Sequence, residues 1–253
     1  MPDATDSAGI PWAGRHFEPS ASSDDDGSAP EALLAAIHGF QLGELGEADV
    51  IDALRDARLL IPLVAELGEE GQTEAGLKLD KTQELSIVTV EGPDGRTVLP
   101  AFSSVDAMKH WQPSARPIPV PAVRVALAAV SEHTDLIVLD ATTDTEFAIR
   151  RPAVWALAQQ QSWTPSYRDT EVFKAFVDAA EAEPSVLSVH LTAGDARARL
   201  AGPELIVHLS LASGLDQPAL DALLARLQER WAHSELIAAR VDSLGLMLTK
   251  SAN

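Results

Sequence analysis

Ser103 and Ser104 stand where an apolar run, Thr97 to Phe102, gives way to a helix-like segment ending at Trp111. Hydroxyls at a helix start accept from its first free backbone N–H groups, and the same N–H groups can hold a carboxylate. Arg96 and Arg116 flank the stretch and offer a supporting charge. These four residues form a candidate anion site, with helix capping as the competing role. A second group is Trp12-Ala-Gly-Arg-His-Phe17, where Trp12, Arg15 and Phe17 interrupt a small, polar, acidic segment. It reads as a short motif that docks on another protein, or as one that folds back on its own domain. His190 and His208 lie on the polar sides of two alternating runs, with Glu204 near the second. If those strands pair side by side, both imidazoles approach one ion; otherwise they face solvent, and no metal site is assigned. Asp140 and Asp144 end a short buried run, where open α/β sheets bind ligands.

Other chemistry is excluded by what the chain lacks. There is no cysteine, so no disulfide, thiolate nucleophile or cysteine-ligated metal. No phosphate-cradling glycine loop follows a strand, since Gly43-Glu-Leu-Gly46 falls between two helical patterns, and no Gly-x-Ser-x-Gly or His-Glu-x-x-His occurs. Thirty-eight acidic against nineteen basic residues leave a net charge of −19, which repels phosphate backbones and anionic lipid surfaces. No signal-peptide pattern or eighteen-residue apolar run is present. The expectation is a cytoplasmic protein that needs no cofactor and binds another cytosolic protein rather than nucleic acid or membrane, with homo-oligomerisation open.

The elements that must position these groups follow from periodicity. Residues 1–27 are too small, polar and acidic to repay ordering, and read as a flexible acidic tail. Ser28 with Glu31 forms a capping box for a helix carrying Leu33, Leu34 and Ile37, and a second helix spans Glu47 to Ala57. Leu59–Val64 reads as a strand with Pro62 at an edge or bulge. Leu85–Val90 reads as a buried strand, joined by the Pro93-Asp94-Gly95 turn to Thr97–Phe102. After the short helix comes a proline-stiffened segment, Arg116 to Pro121. A helix with Val123, Ala126, Leu127 and Val130 follows, then strands at Leu136–Leu139 and Glu146–Arg150, then a helix opened by Pro152. From Asp169 the pattern restarts: a helix with Val172, Phe173, Phe176, Val177 and Ala180, strands at Val186–Leu191 and Leu205–Leu211, and a helix from Leu220 to Trp231. Strands at Leu236–Val241 and Leu244–Thr249 close it. The fold class is α/β (α+β): two small mixed or antiparallel sheets with helices packed on them, the C-terminal part a two-layer α-β-β-α-β-β sandwich. The domains are placed at 28–165 and 166–253.

The run Gly92-Pro-Asp-Gly-Arg-Thr-Val-Leu-Pro-Ala-Phe-Ser-Ser104, followed by Trp111, Ala115-Arg-Pro117 and Pro119-Val120, resembles the N-terminal domain of the SseB family. So do Ala57-Arg-Leu-Leu-Ile-Pro62 and Arg151-Pro-Ala-Val-Trp-Ala-Leu157. These are bacterial cytosolic proteins named for an enhanced-serine-sensitivity phenotype, and the chain looks most like their actinobacterial branch. Asp140-Ala-Thr-Thr-Asp144 departs from the Asp-Pro-Ala-Gly turn expected there. The resemblance implies a fold and no reaction, because its motifs are apolar and turn residues. The functional expectation is a non-enzymatic protein-binding or regulatory module, with an amino-acid or carboxylate binding or modifying domain as the alternative.

Overall fold

The computed structural model describes residues 25–63, 88–132, 134 and 136–250. Helices α1 (Glu31–Gln41) and α2 (Glu47–Arg55) bury Leu33, Ile37, Val50, Ile51 and Leu54 at helical spacing. The capping box at Ser28 does not form. Pro30 takes the cap position of α1 and offers no side-chain acceptor, while the Ser28 hydroxyl donates to Asp26, only two residues away. Residues 25–28 are tied to the body: Arg58 binds the Asp25 carboxylate and the Ser28 carbonyl, and the Val105 N–H donates to Gly27.

Strand β1 (Arg58–Leu63) pairs antiparallel with β4 (Arg116–Pro121), the segment read from sequence as a stiff connector. Proline at every second position of β4 hides a strand. Leu60 exchanges both backbone hydrogen bonds with Phe102, so its pair with Pro119 is a non-hydrogen-bonded one. The proline nitrogens therefore point away from β1, where no ladder donor is needed. In the second sheet β2 (Val90–Glu91) and β3 (Thr97–Ala101) form a hairpin over Gly95, whose φ of 78° suits glycine. β3 runs parallel to β5 (Ile137–Leu139), and β5 antiparallel to β6 (Phe147–Ile149), giving the order β2-β3-β5-β6. Of the strand expected at Leu85–Val90, residues 85–87 lie outside the described residues, and of 88–90 only Val90 belongs to a strand. Helix α3 (Val105–Trp111) follows β3; α4 (Ala122–Ser131) and α5 (Arg151–Ala158) pack with α1 and α2 on the core.

After a 3₁₀ turn at Ser166–Arg168, α6 (Thr170–Ala180) starts at Asp169, whose carboxylate accepts from Glu171 and Val172. β7 (Val186–Ala193) and β8 (Leu205–Leu211) are antiparallel, and α7 (Gln217–Ala232) buries Leu223, Leu227 and Trp231. The expected strand at Leu236–Val241 is instead a helix, α8 (Glu235–Arg240). Ser234 caps it by accepting from Ile237, and a six-residue run fits either period until such a cap decides. The order is thus α-β-β-α-α-β, and the α7–α8 crossover brings β9 (Leu244–Lys250) back parallel to β8. The two-layer arrangement holds, with helices on one face of β7-β8-β9.

The β7–β8 connection reaches across the molecule. Ala198 and Leu200, left-handed at φ 49° and 57°, are buried in clusters that belong otherwise to the N-terminal half. Ala198 also accepts from the Ala148 N–H on the outer edge of β6. Left-handed backbone at alanine and leucine costs about 1–3 kcal/mol each, so the packing on both sides must hold it.

Candidate functional site

The serine pair sits where expected but is already engaged. Ser104 caps α3 through a bond from the Ala107 N–H. Ser103 donates both its N–H and its hydroxyl, at 2.7 and 2.6 Å, to the buried carboxylate of Asp140, which also accepts from Thr145 Oγ1. Burial pushes the Asp140 carboxyl up against the three bonds that favour its charge. Asp140 has φ 50°, a conformation Asp tolerates because its side chain bonds locally. A carboxylate does occupy the place read as an anion site, and it belongs to the chain itself. Arg116 is exposed on β4, and Arg96 points elsewhere. Trp12, Arg15 and Phe17 lie outside the described residues.

Arg96 leads to the junction between the halves. It follows the hairpin turn, bonds Asp94 at 2.8 Å, and reaches both carboxylate oxygens of Asp242 at 3.0 Å. Asp242, its side chain 1% exposed, also accepts from Arg150 at 3.2 Å. Arg150, at the end of β6, is buried and spends its other nitrogen on Asp195 and the Gly202 carbonyl, each at 2.8 Å. Asp195 accepts from the Leu200 N–H and so fixes the left-handed connector. Beside this network Glu204 accepts from the Asp242 and Ser166 N–H groups, and burial raises its pKa. On the far side, Tyr167 donates to Glu47 at 3.1 Å. Burial pushes Glu47 up to about 7, eased by that bond and reinforced by the charge of Glu204. Tyr167 is raised above its ordinary value by burial and by the Glu47 charge.

Two clefts border the junction. One, of about 570 Å³, is lined by Asp94 and Arg96, the 200–203 connector, Asp242 and Ser243. The other, about 460 Å³, lies between α7, α8 and the start of β9, against Trp231, Ile237 and Leu244. Sequence reading missed Arg150, Asp195 and Asp242. The one available signal was a pair of arginines directly after the apolar Phe147–Ile149 strand, where a charge must be either solvated or paired.

The histidines do converge. His190 and His208 are direct cross-strand partners with ring centroids 5.9 Å apart, and His208 Nε2 is 2.7 Å from Thr192 Oγ1. Glu204 is not with them, because its carboxylate is turned to the buried junction. Among the described residues no group of three or more His, Asp or Glu is placed to hold a metal ion. Register extends the histidine row to Met247 on β9, between a Ser188–Ser210–Thr249 row and a Thr192–Ile206–Gly245 row. These nine residues form the sheet face that α6 and α7 leave bare. Met247 is 50% exposed, and the face is polar and nearly uncharged.

No helix among the described residues is long and apolar enough to cross a membrane. Residues 31–156 match the family model described as SseB protein N-terminal domain. Neither a curated protein nor a solved structure matches the chain.

Proposed function

Because this chain belongs to the SseB family through residues 31–156, we propose that it is a non-enzymatic, cytoplasmic module that binds another protein. The observation that carries the reading is the bare face of the β7-β8-β9 sheet, a flat array of hydroxyl, imidazole and thioether groups on a rigid scaffold. Such a face suits a broad macromolecular surface better than a small molecule, which needs concavity. The net charge of −19 argues against nucleic acid and anionic lipid as partners. The test compares three forms on cytosolic extract: the full chain, His190→Glu/Ser210→Glu, and a chain lacking residues 1–24, which keeps the Asp25 and Gly27 contacts. A partner kept by the full chain and lost by the double variant, with unchanged melting, supports the face. Equal capture by the full chain and the double variant overturns it. Loss on truncation alone moves recognition to Trp12, Arg15 and Phe17.

The 570 Å³ cleft favours a second reading, binding of an amino acid or other carboxylate. Arg96 is its one cationic wall residue, and such a ligand would have to compete with Asp94 and Asp242 for it. At a hundredfold excess over its dissociation constant, a ligand stabilises the fold by about 2.7 kcal/mol. A thermal-shift screen of amino acids and dicarboxylates without a rise in melting temperature removes this reading.

A further inference from the structure

Sheet edges with free backbone groups pair with other strands unless something prevents it, and this chain prevents it almost everywhere. β4 carries Pro117, Pro119 and Pro121 with their nitrogens turned outward. β1 has Pro62 and is bridged to Phe102. β2 is two residues long, and β6 is three residues long and donates to Ala198. The register of β7 breaks between Val186 and Ser188. β9 is the exception among the described residues. It is seven residues long, unbroken in register with β8 from Leu244 to Lys250, and paired on one side only. From Leu244 to Thr249 it holds neither proline nor charge.

Its side chains are as undefended as its backbone. Leu244, Leu246 and Leu248 share the face of β8 that is buried under the helices, yet Leu244 and Leu248 are each 39% exposed. The adjoining groove is floored by Trp231, whose buried indole N–H has no acceptor among the described residues.

We propose that the outer edge of β9 pairs antiparallel with β9 of a second copy, joining two three-stranded sheets into one of six. The sequence of β9 is self-complementary for this. Antiparallel pairing about Leu246 sets Leu244 against Leu248 of the second copy, and Leu246 against itself, all on the helix-covered face. On the bare face it sets Met247 against Gly245. Two-fold symmetry of this kind satisfies the edge without leaving a new one, so assembly stops at the dimer. The inference is independent of the partner surface above, since the bare face stays available in the dimer.

The experiment is light scattering on the full chain after gel filtration, with two double variants that remove the same two leucines. The unaltered chain is expected at twice the mass of one chain. Leu244→Lys/Leu248→Lys sets like charges opposite each other at both contacts and is expected to be a monomer. Leu244→Lys/Leu248→Glu sets opposite charges there and is expected to remain a dimer. An unaltered chain that stays monomeric at high micromolar concentration overturns the proposal, and so does a dimer that survives in both variants. A strand captured from another protein would also leave the isolated chain monomeric and counts against it. Should the variants fail to fold, hydrogen exchange on the unaltered chain decides: β9 amides must gain protection as concentration rises.

Discussion

Asp140 serves three donors from a left-handed backbone, so two separate costs attach to changing it. Asp140→Asn keeps the conformational tolerance and one acceptor oxygen, whereas Asp140→Ala loses both and leaves the Ser103 donors unpaired in the interior. Alanine is expected to destabilise by about 2–4 kcal/mol and asparagine by clearly less, measured by urea denaturation. Arg150 and Arg96 give a second contrast. Removing Arg150 strands the buried Asp195 and half of the support of Asp242, so Arg150→Ala is expected to cost about 3–5 kcal/mol. Arg96→Ala leaves Asp242 with Arg150 and removes a partly exposed group, for about 1 kcal/mol. Glu47 sets a pH dependence. Its carboxyl is raised from 4.5 to about 7, so the folded state holds the proton longer than the unfolded chain. The stability linked to it is complete below about pH 4.5 and is lost as pH rises through about 7. Asp140 and Glu204 are raised as well and act in the same direction. Glu47→Gln, which still accepts from Tyr167, is expected to stabilise at about pH 8 by up to roughly 3 kcal/mol and to change little at about pH 4. Equal effects at both pH values would refute the assignment.

At the scale of elements, ends and edges decide more than interiors. α3 has only seven residues and depends on its cap, so Ser104→Ala is expected to cost about 1 kcal/mol and to loosen Trp111 against Phe102 by near-ultraviolet circular dichroism. β4 shows proline used to end a sheet, and α8 shows a serine cap choosing a helix where hydrophobic period was indecisive. The direction of β9 depends on that choice: a strand at 236–241 would have left a hairpin into an antiparallel β9, whereas the helix returns it parallel to β8.

Over the whole molecule, the connector between β7 and β8 and the Arg150 network join the halves by burial and by charge at once. Leu200 enters an N-terminal cluster while Asp195, five residues earlier, meets Arg150. Leu200→Ala is therefore expected to lower the melting of both halves together, by about 2–4 kcal/mol in a single transition. Two separated transitions in the unaltered chain would show that the junction does not couple them. Glu183, held down to about 2 by Arg226 and Arg230, works against the raised acids: its stability is present above about pH 4.5 and is lost as pH falls through 2.

Local chemistry was legible in the residues. Helical stripes, the Pro-Asp-Gly turn, the Ser104 cap and the alternation at His190 and His208 depend on neighbours within a few positions, and those interactions are written in order along the chain. The absence of cysteine and the acidic excess bounded the chemistry before any fold was known. What only the tertiary structure decided is which groups meet across long separations: Ser103 with Asp140, Arg150 with Asp195 and Asp242, and Glu204 with the junction instead of the histidines. One carboxylate among thirty-eight cannot be chosen by spacing, because burial sets both its partner and its proton affinity, and burial belongs to the packed chain alone.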